Sequence, residues 1–258
     1  MDTKTLLSSL ATEQVNARSE RLDQMSALEI VTLMNDVTAD VTAGVSKALP
    51  ALAEAVDAIV ARMKKGGRLI YMGAGTERSQ KYVLSLLLDH AGELQAAVNR
   101  GALVLFTGSA MEVLGASVTD AKGKVWQGLG LAEYTTVETE KRTPVDVIAS
   151  PALWDSPVVG FMNKCSTTSG VTTPLFSALP LGFGNDQEHG AEGYVSGNVF
   201  ATHMTGPVLV KNPDFTDLLI RRLFAAKGWE LPETLPVLPH EREAYAVTLH
   251  ELQARMGK

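Results

Sequence analysis

The sequence predicts an α/β fold preceded by a helical N-terminal appendage, and three observations predict it. Two short apolar runs, Leu69-Ile-Tyr-Met72 and Leu103-Val-Leu-Phe106, have the length and composition of buried strands. Residues 78–99 lie between them and carry Val83, Leu84, Leu86, Leu87 and Leu88 in a helical pattern, so strand, helix and strand follow one another as in a parallel sheet. Ahead of Gly66-Gly67 the pattern is helical alone.

Each element has a local cause. Ser26-Ala-Leu-Glu29 has capping-box spacing, and Leu28, Val31 and Leu33 follow it. Pro50 suits the first turn of a further helix, in which Leu52, Val56, Ile59, Val60 and Met63 share a face. Lys64-Lys65 fits a helix C-terminus, and Gly66-Gly67 stops it. After the second apolar run, Thr107-Gly108-Ser109-Ala110 leads into a short helical pattern, Met111-Glu-Val-Leu-Gly115. Residues 125–200 are rich in Thr, Val and Gly and read as short strands and loops. Two helical patterns close the chain, at 215–228 and 240–256. The expected division is a helical segment over 1–66 and a larger domain over 67–258.

Composition narrows the function classes. The 258 residues are 45% hydrophobic and 20% charged, enough apolar content for a sizeable core, and the net charge of −6 argues against a general nucleic-acid binder. No apolar run reaches the length of a membrane span, and the N-terminus lacks a signal peptide's apolar segment, so a cytoplasmic protein is expected. The single cysteine, Cys165, excludes an internal disulfide, and its expected role is that of a small buried hydrophobe. The five histidines show no metal-ligand spacing, and neither a metal nor another cofactor is expected.

The stretch Gly67-Arg-Leu-Ile-Tyr-Met-Gly-Ala-Gly-Thr-Glu-Arg-Ser-Gln80 carries two resemblances at once. Residues 12–76, from Thr-Glu-Gln-Val-Asn-Ala-Arg through the Gly-Ala-Gly-Thr turn, resemble the N-terminus of N-acetylmuramic acid 6-phosphate etherases, which contain a sugar-isomerase domain. In that family the turn continues as Ser-Gly-Arg and cradles a sugar phosphate. Here Glu77-Arg78-Ser79 follows, and the family's later acidic segment has no counterpart.

From Leu69 onward the chain resembles CobB/CobQ-type class I glutamine amidotransferase domains, and among them the glutaminase subunits of lipid II isoglutaminyl synthases. Gly-Ala-Gly-Thr-Glu-Arg-Ser-Gln places Arg78 and Gln80 in register with a family cluster. Residues 100–115 resemble the nucleophile-elbow segment, and the segments around 158–170, 180–193 and 198–222 follow in the family's order. The chain therefore reads as a mosaic. This resemblance implies a flavodoxin-like class I glutamine amidotransferase-type domain, linked to peptidoglycan and cell-wall or cofactor amidation. It also implies an ATP-dependent ligase or synthetase partner that consumes the ammonia.

Glutaminases of this class need a cysteine thiolate on a strained turn, a histidine that moves the proton, and backbone amides for the oxyanion. The alignment puts Gly108 at the cysteine position, with Thr107 or Ser109 there after a one-residue slip. Thr205 stands in the histidine's place, within His203-Met-Thr-Gly-Pro207, and His203 lies two residues earlier. The catalytic candidates are thus Gly108, Ser109, His203 and Thr205, and an impaired site, a pseudoenzyme, is expected. The substrate-binding candidates are Gly73, Gly75, Thr76, Arg78 and Gln80 at the first turn, where backbone amides and hydroxyls offer donors to an anion. Asn185, Glu188 and His189 join them from the Gly-rich loop near 182–193. Two alternatives accompany this reading: an etherase-like sugar-phosphate lyase or binder, and a non-enzymatic scaffold forming a homo-oligomer through its N-terminal helices.

Overall fold

The computed structural model describes residues 17–65, 70–186, 190–231 and 239–256. It divides into two compact units, Met1–Arg68 and Leu69–Lys258.

In the first unit, two short 3-10 turns at Ala17–Ser19 and Leu22–Gln24 lead into one long helix, α1, Ala27–Lys64. The capping box forms as its spacing predicts. The Glu29 carboxylate accepts from the Ser26 backbone N–H and hydroxyl at 2.7 Å each, and the Ser26 hydroxyl accepts from Glu29 N at 3.3 Å. Pro50 does not start a new helix: α1 continues through it. A proline inside a helix leaves the carbonyl four residues earlier without its donor and bends the axis. The hydroxyls of Thr38, Thr42 and Ser46 donate to the carbonyls of Met34, Thr38 and Thr42, tying the turns ahead of the proline. The side chains of Leu52 and Met63, two members of the expected apolar face, lie outside the described residues.

The second unit contains the α/β arrangement. Strand β1, Ile70–Met72, pairs in parallel with β2, Val104–Thr107, as the strand–helix–strand pattern predicts. Two helices make the crossover where one was expected: α2, Glu77–Leu88, and α3, Ala91–Asn99. Strand β2 pairs in parallel with β9, Val199–Thr202, which pairs antiparallel with β8, Tyr194–Ser196. The sheet order is β1-β2-β9-β8.

A second sheet packs the rest. Its order is β10 (Met204–Thr205), β6 (Val158–Ser169), β5 (Thr135–Pro151), β3 (Ser117–Thr119) and β4 (Val125–Gln127), with β7 (Phe176–Leu181) also on β5. The expected short strands between 125 and 200 include two long ones, β5, Thr135–Pro151, and β6, Val158–Ser169, paired antiparallel. Local β propensity marks these residues as extended, but the pairing that lengthens them joins positions far apart in sequence.

Strand β2 is apolar on both sides because both sides are covered. Val104 and Phe106 join a core with Leu84, Met111, Leu114 and Tyr134. Leu103 and Leu105 join a second core with Met162, Phe176, Phe200 and Phe215. Short α4, Ala110–Leu114, is held there by the Tyr134 hydroxyl, which donates to Met111 O at 2.7 Å. Helices α5, Val208–Lys211, and α6, Pro213–Lys227, flank the second core, and α7, Pro239–Met256, places Leu252 beside Ile148 and Val159.

Phe106 is 1% exposed at the centre of the parallel strands. Phe106→Ala is expected to lower stability by about 3–5 kcal/mol, read from urea unfolding.

Candidate functional site

Three segments converge at the carboxyl ends of β1, β2 and β9. The turn 73–76 leaves β1, the corner 108–109 leaves β2, and residues 203–205 continue from β9 into β10. Gly108 has φ of +62°, a left-handed conformation that glycine adopts without strain. Its N–H donates to Met204 O at 2.9 Å, which ties the corner to the third segment. A Cβ added at Gly108 would stand 2.4 Å from Ala74 Cβ and 3.1 Å from Thr205 Cγ2. The corner is thus a left-handed strand-to-helix turn with no side chain on it, facing a threonine methyl group.

Ser109 is fully engaged with the first turn. Its hydroxyl donates to Gly75 O at 3.0 Å and accepts from Gly75 N at 3.2 Å. Thr76 caps α2, its hydroxyl accepting from Ser79 N at 3.2 Å and meeting the Ser79 hydroxyl at 2.9 Å. Two amides that an anion would use, Gly75 N and Ser79 N, already have side-chain partners. Gly73 lies in the same turn, and Arg78 lines the cleft that opens beside it.

Behind the corner lies a buried polar layer. Gln80, 4% exposed, donates to the Ser109 carbonyl and, at 2.9 Å, to Glu112, while the Ser166 hydroxyl donates to Glu112 at 2.6 Å. His203 is 1% exposed. Its Nδ1 meets Glu192 Oε1 at 3.0 Å, its backbone N–H donates to the same oxygen at 2.7 Å, and its Nε2 meets the Thr168 hydroxyl at 3.4 Å. The Thr202 hydroxyl donates to the other Glu192 oxygen at 2.7 Å. Burial and the nearby Lys164 ammonium lower the His203 pKa, despite the Glu192 contact. Burial opposes charge on Glu192, but the donors from His203 outweigh it and lower its pKa. The pair is therefore a neutral imidazole donating Nδ1–H to a carboxylate, and neither ring nitrogen bonds to Ser109.

Asn185 is buried and serves its own loop. Its amide donates to Gly193 O and its carbonyl accepts from Gly193 N, both at 2.9 Å. Lys164 donates to the carbonyls of Gly184 and Asn185 at 2.7 Å each, and burial brings its pKa down to about 8. Glu188 and His189 lie outside the described residues.

A cleft of about 830 Å³ runs along α2 between the β3–β4 turn and the edge of β5. Lys81 pairs with Glu138 and Arg142 pairs with Glu77 along it, and Trp126 lies on its far wall. Cys165, 7% exposed, reaches this cleft, its thiol 3.4 Å from the Glu77 carboxylate. Burial and that carboxylate push the thiol up to about 11. Among the described residues no group of three or more His, Cys, Asp or Glu side chains could hold a metal ion.

Sequence reasoning did not single out Glu192, Glu112, Lys164 or Thr168. Glu192 stands between Ala191 and Gly193, with no period or motif to mark it as buried. The alternation Lys164, Ser166, Thr168 on β6 was the available signal, one polar residue at every second position.

The model of a protein family described as the CobB/CobQ-like glutamine amidotransferase domain matches residues 47–213, more than half of the chain. The N-terminal segment is similar to N-acetylmuramic acid 6-phosphate etherases. One from Histophilus somni is 58% identical over 67 residues, 26% of this chain and 22% of that protein. One from Enterococcus faecalis is 50% identical over 70 residues, 27% of this chain and 23% of that protein. The chain thus spans less than a quarter of these relatives' length. A solved glutamine amidotransferase from Thermotoga maritima overlaps 71% of this chain and 75% of its own, at 12% identity and a TM-score of 0.35.

Two outcomes follow from this geometry. Gly108→Ala should destabilise the protein by about 2 kcal/mol or more, from the left-handed backbone and the approach to Ala74. Adding Ala74→Gly should recover part of that loss in a double-mutant cycle by urea unfolding. Cys165 should react with iodoacetamide at pH 8 about 100-fold more slowly than the unfolded chain's thiol, because its thiolate fraction is lower by that factor.

Proposed function

The chain belongs to the CobB/CobQ-like glutamine amidotransferase domain family, and from that premise we propose that it is an amidotransferase-like pseudoenzyme of peptidoglycan (lipid II) or cofactor amidation. The observation that carries this reading is the corner at Gly108. It has a left-handed φ and no side chain, and the Thr205 methyl faces it; in the resemblance these two positions are the ones that hold the nucleophile and its base.

The chemistry follows from the groups present. Amide cleavage needs a nucleophile and a base that takes its proton. Gly108 has no attacking atom, and the threonine hydroxyl at 205 donates to Phe161 O at 3.2 Å. Ser109 has its hydroxyl closed onto Gly75, with no base among its partners. His203 has a carboxylate behind it, as a catalytic histidine would, but its other nitrogen meets Thr168 inside the core. Loss of a nucleophile or its base from a triad costs on the order of a millionfold in turnover.

In this reading the turn at Gly73, Gly75, Thr76 and Arg78, braced by Gln80, keeps the amidotransferase shape for a partner, an ATP-dependent ligase or synthetase, in the cytoplasm. No helix among the described residues is long and apolar enough to cross a membrane. A second reading, an etherase-like lyase or binder of N-acetylmuramic acid 6-phosphate, has the 58% identity of the N-terminal stretch in its favour. The engagement of Gly75 N and Ser79 N counts against a phosphate in the turn.

A coupled ammonia assay on the purified chain tests the proposal. No glutamine-dependent ammonia above background is expected, with activity gained in Ala74→Gly/Gly108→Cys/Thr205→His. Turnover by the unmodified chain that Ser109→Ala or His203→Ala abolishes would overturn it.

A further inference from the structure

We infer that α1 is a self-association element: two copies of the chain pair their α1 helices in parallel and in register as a two-stranded coiled coil. The inference is independent of the amidotransferase reading.

Its first support is the repeat. From Val45 to Met63 the apolar positions 45, 49, 52, 56, 59 and 63 step by four and three residues in strict alternation, a heptad seam. Extended backwards, the seam meets Thr42, Thr38 and Asn35, then Val31 and Leu28. With Leu49 at position a, Leu28 and Val56 are also a, and Val31, Val45 and Ile59 are d. All six are exposed. Met34 and Val41 at g and Val60 at e widen the stripe and are exposed too.

The second support is area. At roughly 80 Å² of apolar surface per side chain, the scale implied by the transfer energy of a buried Leu or Val, these residues offer about 700 Å² per copy. A specific interface needs about 800 Å² per partner. A stripe of that size fits a full-length partner helix.

The third support is charge. Glu29, Asp36, Asp57 and Lys64 fall at b, and Asp40, Lys47 and Glu54 at f, on the side away from the seam. Between Thr32 and Val60 no charge occupies e or g, so identical helices meet over that span without like-charge repulsion. The charge that does fall at g, Arg62, comes in the last turn, where a cation suits the helix C-terminus. Arg18, ahead of the helix, pairs with Asp40 and so keeps its segment on the polar side. Pro50 falls at b, where its missing N–H faces away from the seam.

The polar block decides direction. In a parallel, in-register pair, Asn35, Thr38 and Thr42 meet their own copies, and the apolar seam meets itself. In an antiparallel pair, where a positions face d positions, the register nearest the middle of the helix would set Asn35 against Ile59 and Thr38 against Val56, burying polar groups against apolar ones. A single Asn at an a position fixes register in this way.

The test uses the full-length chain with Cys165→Ser. Light scattering at micromolar concentration should give the mass of two chains, and Val56→Lys should give the mass of one with an unchanged near-UV spectrum. Mild oxidation should cross-link Leu49→Cys to itself almost completely and leave Asp40→Cys uncross-linked. A single-chain mass, a mass above two chains or a dimer that survives Val56→Lys overturns the inference. So does cross-linking only when Thr38→Cys is mixed with Val56→Cys.

Discussion

The close approach of Gly108 to the first turn and to the 203–205 segment is the constraint on which the rest of the corner depends. Gly108 N–H bonds to Met204 O, and Ala74 sits where any side chain at 108 would project. Gly108 makes both contacts in left-handed backbone at the end of β2. With Ala74 in place, the strand, α4 and the Gly73–Thr76 turn close on one another around a residue that has no side chain. Ser109 then continues the closure, because its hydroxyl reaches both backbone groups of Gly75.

Beneath that corner the protein buries an unusual amount of charge and keeps nearly all of it hydrogen-bonded. Glu192 accepts from Thr202, from His203 N and from the His203 ring. Glu112 accepts from Gln80 and Ser166. Lys164 is met by two carbonyls. Such a layer is costly when a partner is lost, since a buried charge without its hydrogen bonds carries the full desolvation penalty. A layer satisfied in this way ties α2, α4, β6 and the end of β9 to one another.

The chain is a flavodoxin-like class I glutamine amidotransferase-type domain with a helical N-terminal segment, and its two parts are built on different principles. The larger unit buries strands on both faces and closes its polar groups inward. The helix α1 does the reverse, keeping its charges on one side and leaving its apolar stripe exposed. A lone helix draws its stability from packing of such a face.

Much of this was legible in the sequence. Leu69–Met72 and Leu103–Phe106 announced parallel strands, and the second is apolar at every position because it is covered on both faces. Ser26 and Glu29 announced the start of α1 because capping is a contact between near neighbours. The glycine at 108 and the threonine at 205 could be set against a known pattern because resemblance preserves order along the chain. The tertiary structure alone decided what those positions meet. It set the Thr205 methyl beside Gly108, turned His203 inward to Glu192 and Thr168, and carried α1 through Pro50. Each of these outcomes rests on packing between segments distant in sequence, or on a helix propagating past a local breaker. A sequence pattern records which side chains are apolar or polar, but not which distant surface will desolvate them.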